Sequence, residues 1–211
     1  MIPPLSAAPQ AVKLFAAVCI LFEAAALVGL ATGMGPDVRR FLLLFGGFWP
    51  DLLKGAAPIF DGQGILMFAS SAVLHGGPLH LFMNMIGLLW LGPLVVQRVG
   101  AAAFWPILGL SALGSGCLFA LITNSGMPMV GASGVIFGLL GAVATWEVMD
   151  RVNRRASLRP LLQPAAVFLG LNLFLTLSAG NVAWEAHLGG FLAGGLCGVL
   201  SWRGPFSARW S

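Results

Sequence analysis

Two histidines, one serine and one asparagine stand where their types and spacing favour chemistry. His80 and Asn84 are four residues apart, so on a helix both side chains project from one face. Ser133 opens a predicted helix within the segment 131–134, which reads Gly-Ala-Ser-Gly. His187 lies about one turn into another apolar segment. Polar groups in such segments are costly, so these four residues are functional candidates.

The chemistry that these residue types suggest is nucleophilic catalysis. Serine is a weak nucleophile, and His187 is a base able to take the proton of the Ser133 hydroxyl. The oxyanion that forms needs donors, which the His80 ring, the Asn84 amide and the Ser133 backbone N–H can supply. Glu185 is only two residues from His187 and points elsewhere on a helix. We therefore predict a Ser–His dyad with no third, acidic member.

The composition indicates the kind of protein that must position these residues. Hydrophobic residues make up 58% of the 211 residues and charged residues 9%, against about 45–50% and about 25% in ordinary soluble domains. Too few charges exist to cover a water-exposed surface. This excludes a soluble enzyme, a nucleic-acid-binding module and a disordered chain, and it predicts an all-α membrane protein in contact with the lipid bilayer.

A spanning helix needs about 20 mostly apolar residues. On that criterion the chain forms one membrane domain, residues 1–211, with a bundle of six transmembrane helices. The segments are bounded by turn-forming residues and charges. We place the spans at about 14–30, 80–96, 101–122, 133–146, 161–177 and 184–202.

The distribution of basic residues predicts the orientation. With the N-terminus inside, eight of the eleven Lys and Arg residues fall in cytoplasmic segments. The segment 150–159 is the clearest cytoplasmic anchor, and both termini are expected in the cytoplasm. The apolar run 41–49 in the long first loop is too short to cross, so this loop is expected to be associated with the membrane surface.

This topology gathers the candidate residues at one depth. The second, fourth and sixth spans all run from outside to inside, so His80, Asn84, Ser133 and His187 lie near the outer leaflet, and His75 lies near them. The topology rests on apolar length and on basic residues alone, so the common depth of these polar residues is independent support for a shared site.

Small residues predict which helices meet. The sixth span carries glycine at four-residue intervals (Gly190, Gly194, Gly198), and the fourth carries Gly134 and Gly138. Such faces let helix backbones approach closely. His187 is three residues before Gly190, hence on about the same face, so packing of these spans is expected to bring His187 to Ser133.

Each candidate also has a purely structural interpretation when taken alone. Ser133 suits a helix N-cap, and His80 with Asn84 suits interhelical hydrogen bonding. Three histidines could also bind zinc, but no His-Glu-x-x-His motif accompanies them. We expect no metal. Glu23, the acid of the first span, is expected to be structural, paired with a hydroxyl or protonated.

These motifs together resemble the rhomboid family of intramembrane serine proteases, over residues 63–202. The segment 75–85 (HGGPLHLFMNM) is similar to the family's second-helix signature, 131–134 to its nucleophile motif, and 186–194 (AHLGGFLAG) to its sixth-helix motif. The three occur in the family's order. The resemblance implies a rhomboid-like six-helix bundle of the compact bacterial form.

The resemblance also implies roles for individual residues. Ser133 would be the nucleophile, His187 the base, and His80, Asn84 and Gly131 would form the oxyanion hole. His75, Phe137 and Gly190 would support them. Substrates would be single-span membrane proteins, cleaved in the bacterial inner membrane without metal or other cofactor.

The sequence departs from the family pattern at Phe137, where many members have a tyrosine that stacks on the histidine. A Trp-Arg pair common in the first loop is also missing, since Arg39 and Arg40 are separated from Trp49. The alternative function is a catalytically inactive rhomboid-like protein that binds and routes membrane clients. Such relatives usually lack the serine or the histidine, and both are present here.

Overall fold

A computed structural model describes residues 5–33, 35–124, 126–163, 166, 170 and 183–204 of the chain, and six α-helices are described within them. Short 3-10 turns lie at Leu5–Ala7, before the first helix, and at Pro50–Lys54 and Ser71–Val73, between later helices. Within the described part, the β-type pairing is an isolated bridge between Phe48 and Met129. The fold is therefore mostly helical, as the composition predicted. The helices are α1 (Gln10–Ala31), α2 (Gly35–Gly46), α3 (Gln63–Ser70), α4 (Pro78–Ile122), α5 (Ser133–Asn153) and α6 (Trp184–Ser201).

Helix α4 is two helical segments in succession. Gly100 has φ 83° and ψ 163°, which are not helical angles. A positive φ is a conformation that glycine adopts without the steric cost of a Cβ. The break divides α4 into residues 78–99 and 101–122, close to the predicted spans 80–96 and 101–122.

The other predicted spans agree with the helices to differing degrees. Helix α1 is somewhat longer than 14–30, and α6 is close to 184–202. The predicted span 161–177 lies largely outside the described residues. By length and composition, α1 and α4 are the two helices of the described part that are long and apolar enough to cross a membrane. The count of six spans stays a prediction.

Helix α5 extends past the predicted end at residue 146. It continues to Asn153, so the first residues of the segment 150–159 are helical and not loop. Arg151 donates to Glu147 at 2.6 Å one turn earlier. The Asp150 carboxylate accepts two hydrogen bonds from Arg98, each 2.9 Å long, and one from the Trp202 indole at 2.7 Å. Asp150 and Arg151, which the sequence pattern assigned to a loop, thus have charged partners in the folded protein.

The core lies where α1, α4 and α5 meet. Val12, Leu88, Val95, Phe104 and Leu139 are completely buried there. In contrast, large apolar side chains cover the outside of the molecule. Ile65, Leu79, Leu121 and Leu200 are between 73% and 81% exposed. An apolar outer surface on this scale is typical of a protein that meets lipid.

Glycines determine how closely α5 and α6 approach. A Cβ at Gly190 would collide with the carbonyl oxygen of Gly134, and a Cβ at Gly194 would collide with that of Gly138. The predicted glycine faces therefore meet directly, backbone against backbone. This contact places the first turn of α6 beside the first turn of α5.

Candidate active site

Ser133 is the first residue of α5, and three backbone hydrogen bonds hold the loop before it. Met129 exchanges two hydrogen bonds with Phe48, each 2.9 Å between N and O. The Gly131 N–H donates to the Ser71 carbonyl at 2.9 Å. The backbone N–H groups of the first turn of a helix have no acceptor within the helix and carry the positive end of its dipole. Ser133 therefore presents its hydroxyl where negative charge is favoured.

The structure brings His187 to Ser133. The His187 Nε2 atom lies 2.9 Å from the Ser133 Oγ atom. His187 is in the first turn of α6, where its backbone N–H donates to the Ala183 carbonyl at 3.2 Å. Phe137, one turn after Ser133, stacks on the His187 ring with centroids 4.1 Å apart and an interplanar angle of 15°. A phenyl ring thus fixes the plane of the imidazole without a hydroxyl group.

His80 lies against Gly131, in the loop that precedes Ser133. A Cβ at Gly131 would lie 2.7 Å from both Nε2 and Cε1 of His80 and 3.8 Å from the Ser133 Oγ. Gly131 also has φ +132°, a conformation that other residues rarely adopt. Glycine is therefore required there for two reasons. The Asn84 side chain, 6% exposed, donates from Nδ2 to the His80 carbonyl at 2.8 Å.

His75 contributes its backbone and its ring in different ways. Its carbonyl accepts a hydrogen bond from Arg39 at 2.8 Å. Its ring packs edge-on against His80 with centroids 5.2 Å apart, and neither ring nitrogen has a hydrogen-bond partner among the described residues. Burial, with a smaller contribution from His80, lowers the pKa of His75 from 6.5 to about 4. The ring is therefore neutral at physiological pH.

Glu23 has a different partner from the one that the sequence suggested. Its carboxylate, 3% exposed, binds the Arg39 guanidinium through two hydrogen bonds, of 2.7 Å and 3.1 Å. The partner is therefore an arginine and not the hydroxyl that the sequence suggested. A buried carboxylate needs a cation with matching geometry, and Arg supplies a bidentate fork. The free-energy cost of an acid inside an apolar segment was the one sequence signal for this pair, and it did not identify the arginine as the partner.

No group of three or more His, Cys, Asp or Glu side chains suited to a metal ion occurs in the part of the chain that the structure describes. The arrangement of Ser133 and His187 is suited to acyl transfer. A hydroxyl contacts an imidazole nitrogen, and the His80 ring and the N-terminus of α5 lie beside them as donors for an oxyanion.

Comparison with known proteins shows which family the chain resembles. The chain is 37% identical to RHOMBOID-like protein 5 of Arabidopsis thaliana over 136 residues, which are 60% of this chain and 41% of that protein. It is 33% identical to Rhomboid protease GluP of Bacillus subtilis (strain 168) over 122 residues, 58% of this chain and 23% of that protein.

A third relative is matched over more of the chain. Rhomboid-like protease 1 of Toxoplasma gondii is 29% identical over 166 residues, 76% of this chain and 53% of that protein. The matched part of the chain thus spans about half or less of the length of these three relatives. The profile of the rhomboid domain matches residues 63–204. Because that match covers more than half of the chain and includes every part of the Ser133 site, the chain belongs to the rhomboid family.

Proposed function

We propose that this rhomboid-family membrane protein is a serine endopeptidase that cleaves transmembrane segments of other membrane proteins. The observation that carries the proposal is the 2.9 Å contact between His187 Nε2 and Ser133 Oγ at the N-terminus of α5. Two relatives are named proteases, which supports hydrolysis as the activity. The remaining features of the site supply what a serine dyad needs.

The proposed mechanism starts from the contact between His187 and Ser133. The His187 Nε2 atom accepts the Ser133 proton as the oxygen attacks the carbonyl carbon of the scissile bond. The new oxyanion is stabilised by the Ser133 backbone N–H, the His80 Nε2–H and the Asn84 amide. Protonated His187 then gives its proton to the leaving amine, and water hydrolyses the acyl-enzyme by the same route. Phe137 keeps the imidazole plane fixed during both transfers.

We further propose that residues 1–211 form a single membrane domain with six spans, both termini in the cytoplasm, in a bacterial inner membrane. The outer ends of the second, fourth and sixth spans then form the site. Substrates would be single-span proteins. A scissile bond must leave its helical hydrogen bonds to reach Ser133, so segments that unwind easily are preferred.

The test is cleavage of a generic single-span substrate by the purified full chain in detergent. Wild type is compared with Ser133→Ala and His187→Ala, with and without EDTA. We expect cleavage that survives EDTA and disappears in both variants. Cleavage by Ser133→Ala, or its loss with EDTA, would contradict the serine mechanism. If no form cleaves, labelling of Ser133 by a serine-reactive phosphonate separates a narrow substrate range from the client-binding alternative.

A further inference from the structure

A continuous series of hydrogen bonds joins α1 to the His80 ring through the peptide group between His75 and Gly76. It begins at the buried Glu23 carboxylate, which binds both terminal nitrogens of Arg39 at 2.7 Å and 3.1 Å. An ion pair of this geometry has little freedom, because any displacement leaves a buried charge without a partner. The position of the guanidinium is therefore fixed by α1.

The next step is the peptide between His75 and Gly76. The Arg39 Nη1 atom donates to the His75 carbonyl at 2.8 Å. The N–H of Gly76, the other end of the same peptide, donates to the His80 Nδ1 atom at 3.3 Å. In a planar trans peptide the C=O and N–H bonds point in opposite directions. Fixing the carbonyl oxygen therefore fixes the direction of the N–H bond.

The last step concerns the state of the His80 ring. A ring nitrogen that accepts a hydrogen bond carries no proton, so His80 is neutral with its proton on Nε2. That nitrogen is at the ring edge facing Gly131, two residues before the nucleophile. The other tautomer would place a lone pair where an oxyanion needs a donor.

We propose that the Glu23–Arg39 ion pair is a positioning device that sets the orientation and tautomer of His80 through the 75–76 peptide. The inference rests on the proposed function, since it assigns His80 its task there. Neither charged residue touches the reacting atoms. A cationic donor on the carbonyl also polarises the peptide, which makes the Gly76 N–H a stronger donor.

The first test compares Arg39→Gln with Arg40→Gln. Arg40 is the next residue of α2, is exposed, and has no ion pair or side-chain hydrogen bond among the described residues, so it is a matched control. Removing an oxyanion donor costs about 10²–10³-fold in kcat. Arg39→Gln leaves the His80 donor in place but unpositioned, so kcat should fall by about tenfold or more at unchanged KM. Arg40→Gln should have the kcat and KM of wild type. Arg39→Lys, which keeps the charge, should restore part of kcat.

A double-mutant cycle separates positioning from general stability. In a His80→Ala background the device has no ring to position, so Arg39→Gln should change the remaining kcat less than twofold. An equal loss in both backgrounds would overturn the inference. The double variant Glu23→Gln/Arg39→Gln removes both charges together and leaves no unpaired buried ion, so it covers the case in which Arg39→Gln does not fold.

A second readout does not depend on cleavage. The chain has three histidines, so imidazole ¹⁵N signals of the full chain in micelles can be assigned with single His→Ala variants. We expect His80 as the Nε2–H tautomer in wild type and in Arg40→Gln, and a shift toward mixed tautomers in Arg39→Gln. A wild-type proton on Nδ1, or no change in Arg39→Gln, overturns the inference. Cleavage by Ser133→Ala would instead remove the proposed function and leave this result standing.

Discussion

The contact between the glycine faces of α5 and α6 predicts a large effect of one methyl group. Gly190 lies one turn after His187, and a Cβ there would collide with the carbonyl oxygen of Gly134, next to Ser133. The colliding atom is backbone, which cannot rotate away as a side chain can. In Gly190→Ala the two helices must therefore separate locally.

The structure gives the size of the expected effect. For the added Cβ and the carbonyl oxygen to reach ordinary van der Waals contact, the two helices must move apart locally by at least about 1 Å in this close-packed interior. The same displacement would take the His187 Nε2 to Ser133 Oγ distance from 2.9 Å to about 3.9 Å, beyond hydrogen-bond range. A misplacement of 1 Å at a catalytic centre can cost about 10²-fold in rate. Overpacking should also reduce the free energy of unfolding by about 1–3 kcal/mol.

Gly195→Ala is the matched control, because it adds the same methyl group to the same helix. Its Cβ would lie 3.3 Å from the Thr145 Oγ1 atom and 3.9 Å from the Gly141 carbonyl oxygen. We expect kcat near wild type for Gly195→Ala and about 10²-fold lower for Gly190→Ala, with thermal unfolding in detergent measured for both. Wild-type kcat and melting temperature in Gly190→Ala would refute the reasoning, as would equal damage in the control.

Three further predictions concern other contacts of the same structure. Phe137→Leu removes the ring that stacks on His187, so kcat should fall about tenfold, whereas Phe137→Tyr should retain activity, as a cleavage assay would show. Arg98→Ala leaves the Asp150 carboxylate without its bidentate partner; the free energy of unfolding should fall by about 3 kcal/mol in a denaturant titration, with kcat of the folded enzyme unchanged. The pKa of His75 is lowered to about 4, so folding favours the neutral ring, and the free energy of unfolding should decrease as pH falls from 6.5 toward 4. In thermal melts over that range, the melting temperature of His75→Phe should fall less than that of wild type.

Local and periodic signals in the sequence were sufficient for much of this molecule. Spacings of three or four residues predicted the faces of α5 and α6, and apolar length with flanking turns located most helices. The meeting of Ser133 and His187 was predictable because two glycine faces can pack closely in few ways.

Contacts between distant parts of the chain were not predictable in the same way. Arg39 reaches both Glu23 and the His75 carbonyl, 16 and 36 residues away. Nothing in the local pattern distinguishes Arg39 from Arg40. The end of α5 was also missed, because charges after residue 146 are typical of a loop until Asp150 is seen with its partner.

The division of the Ser133 site between two helices has a consequence for biosynthesis. Ser133 and His187, the proposed nucleophile and base, are 54 residues apart in sequence. A nascent chain that has inserted α5 carries the serine and its loop, but it lacks the imidazole until α6 has been made. Under the proposed mechanism, every earlier intermediate on the ribosome is therefore inert toward neighbouring membrane proteins. Under the same mechanism, completion of α6 activates the enzyme.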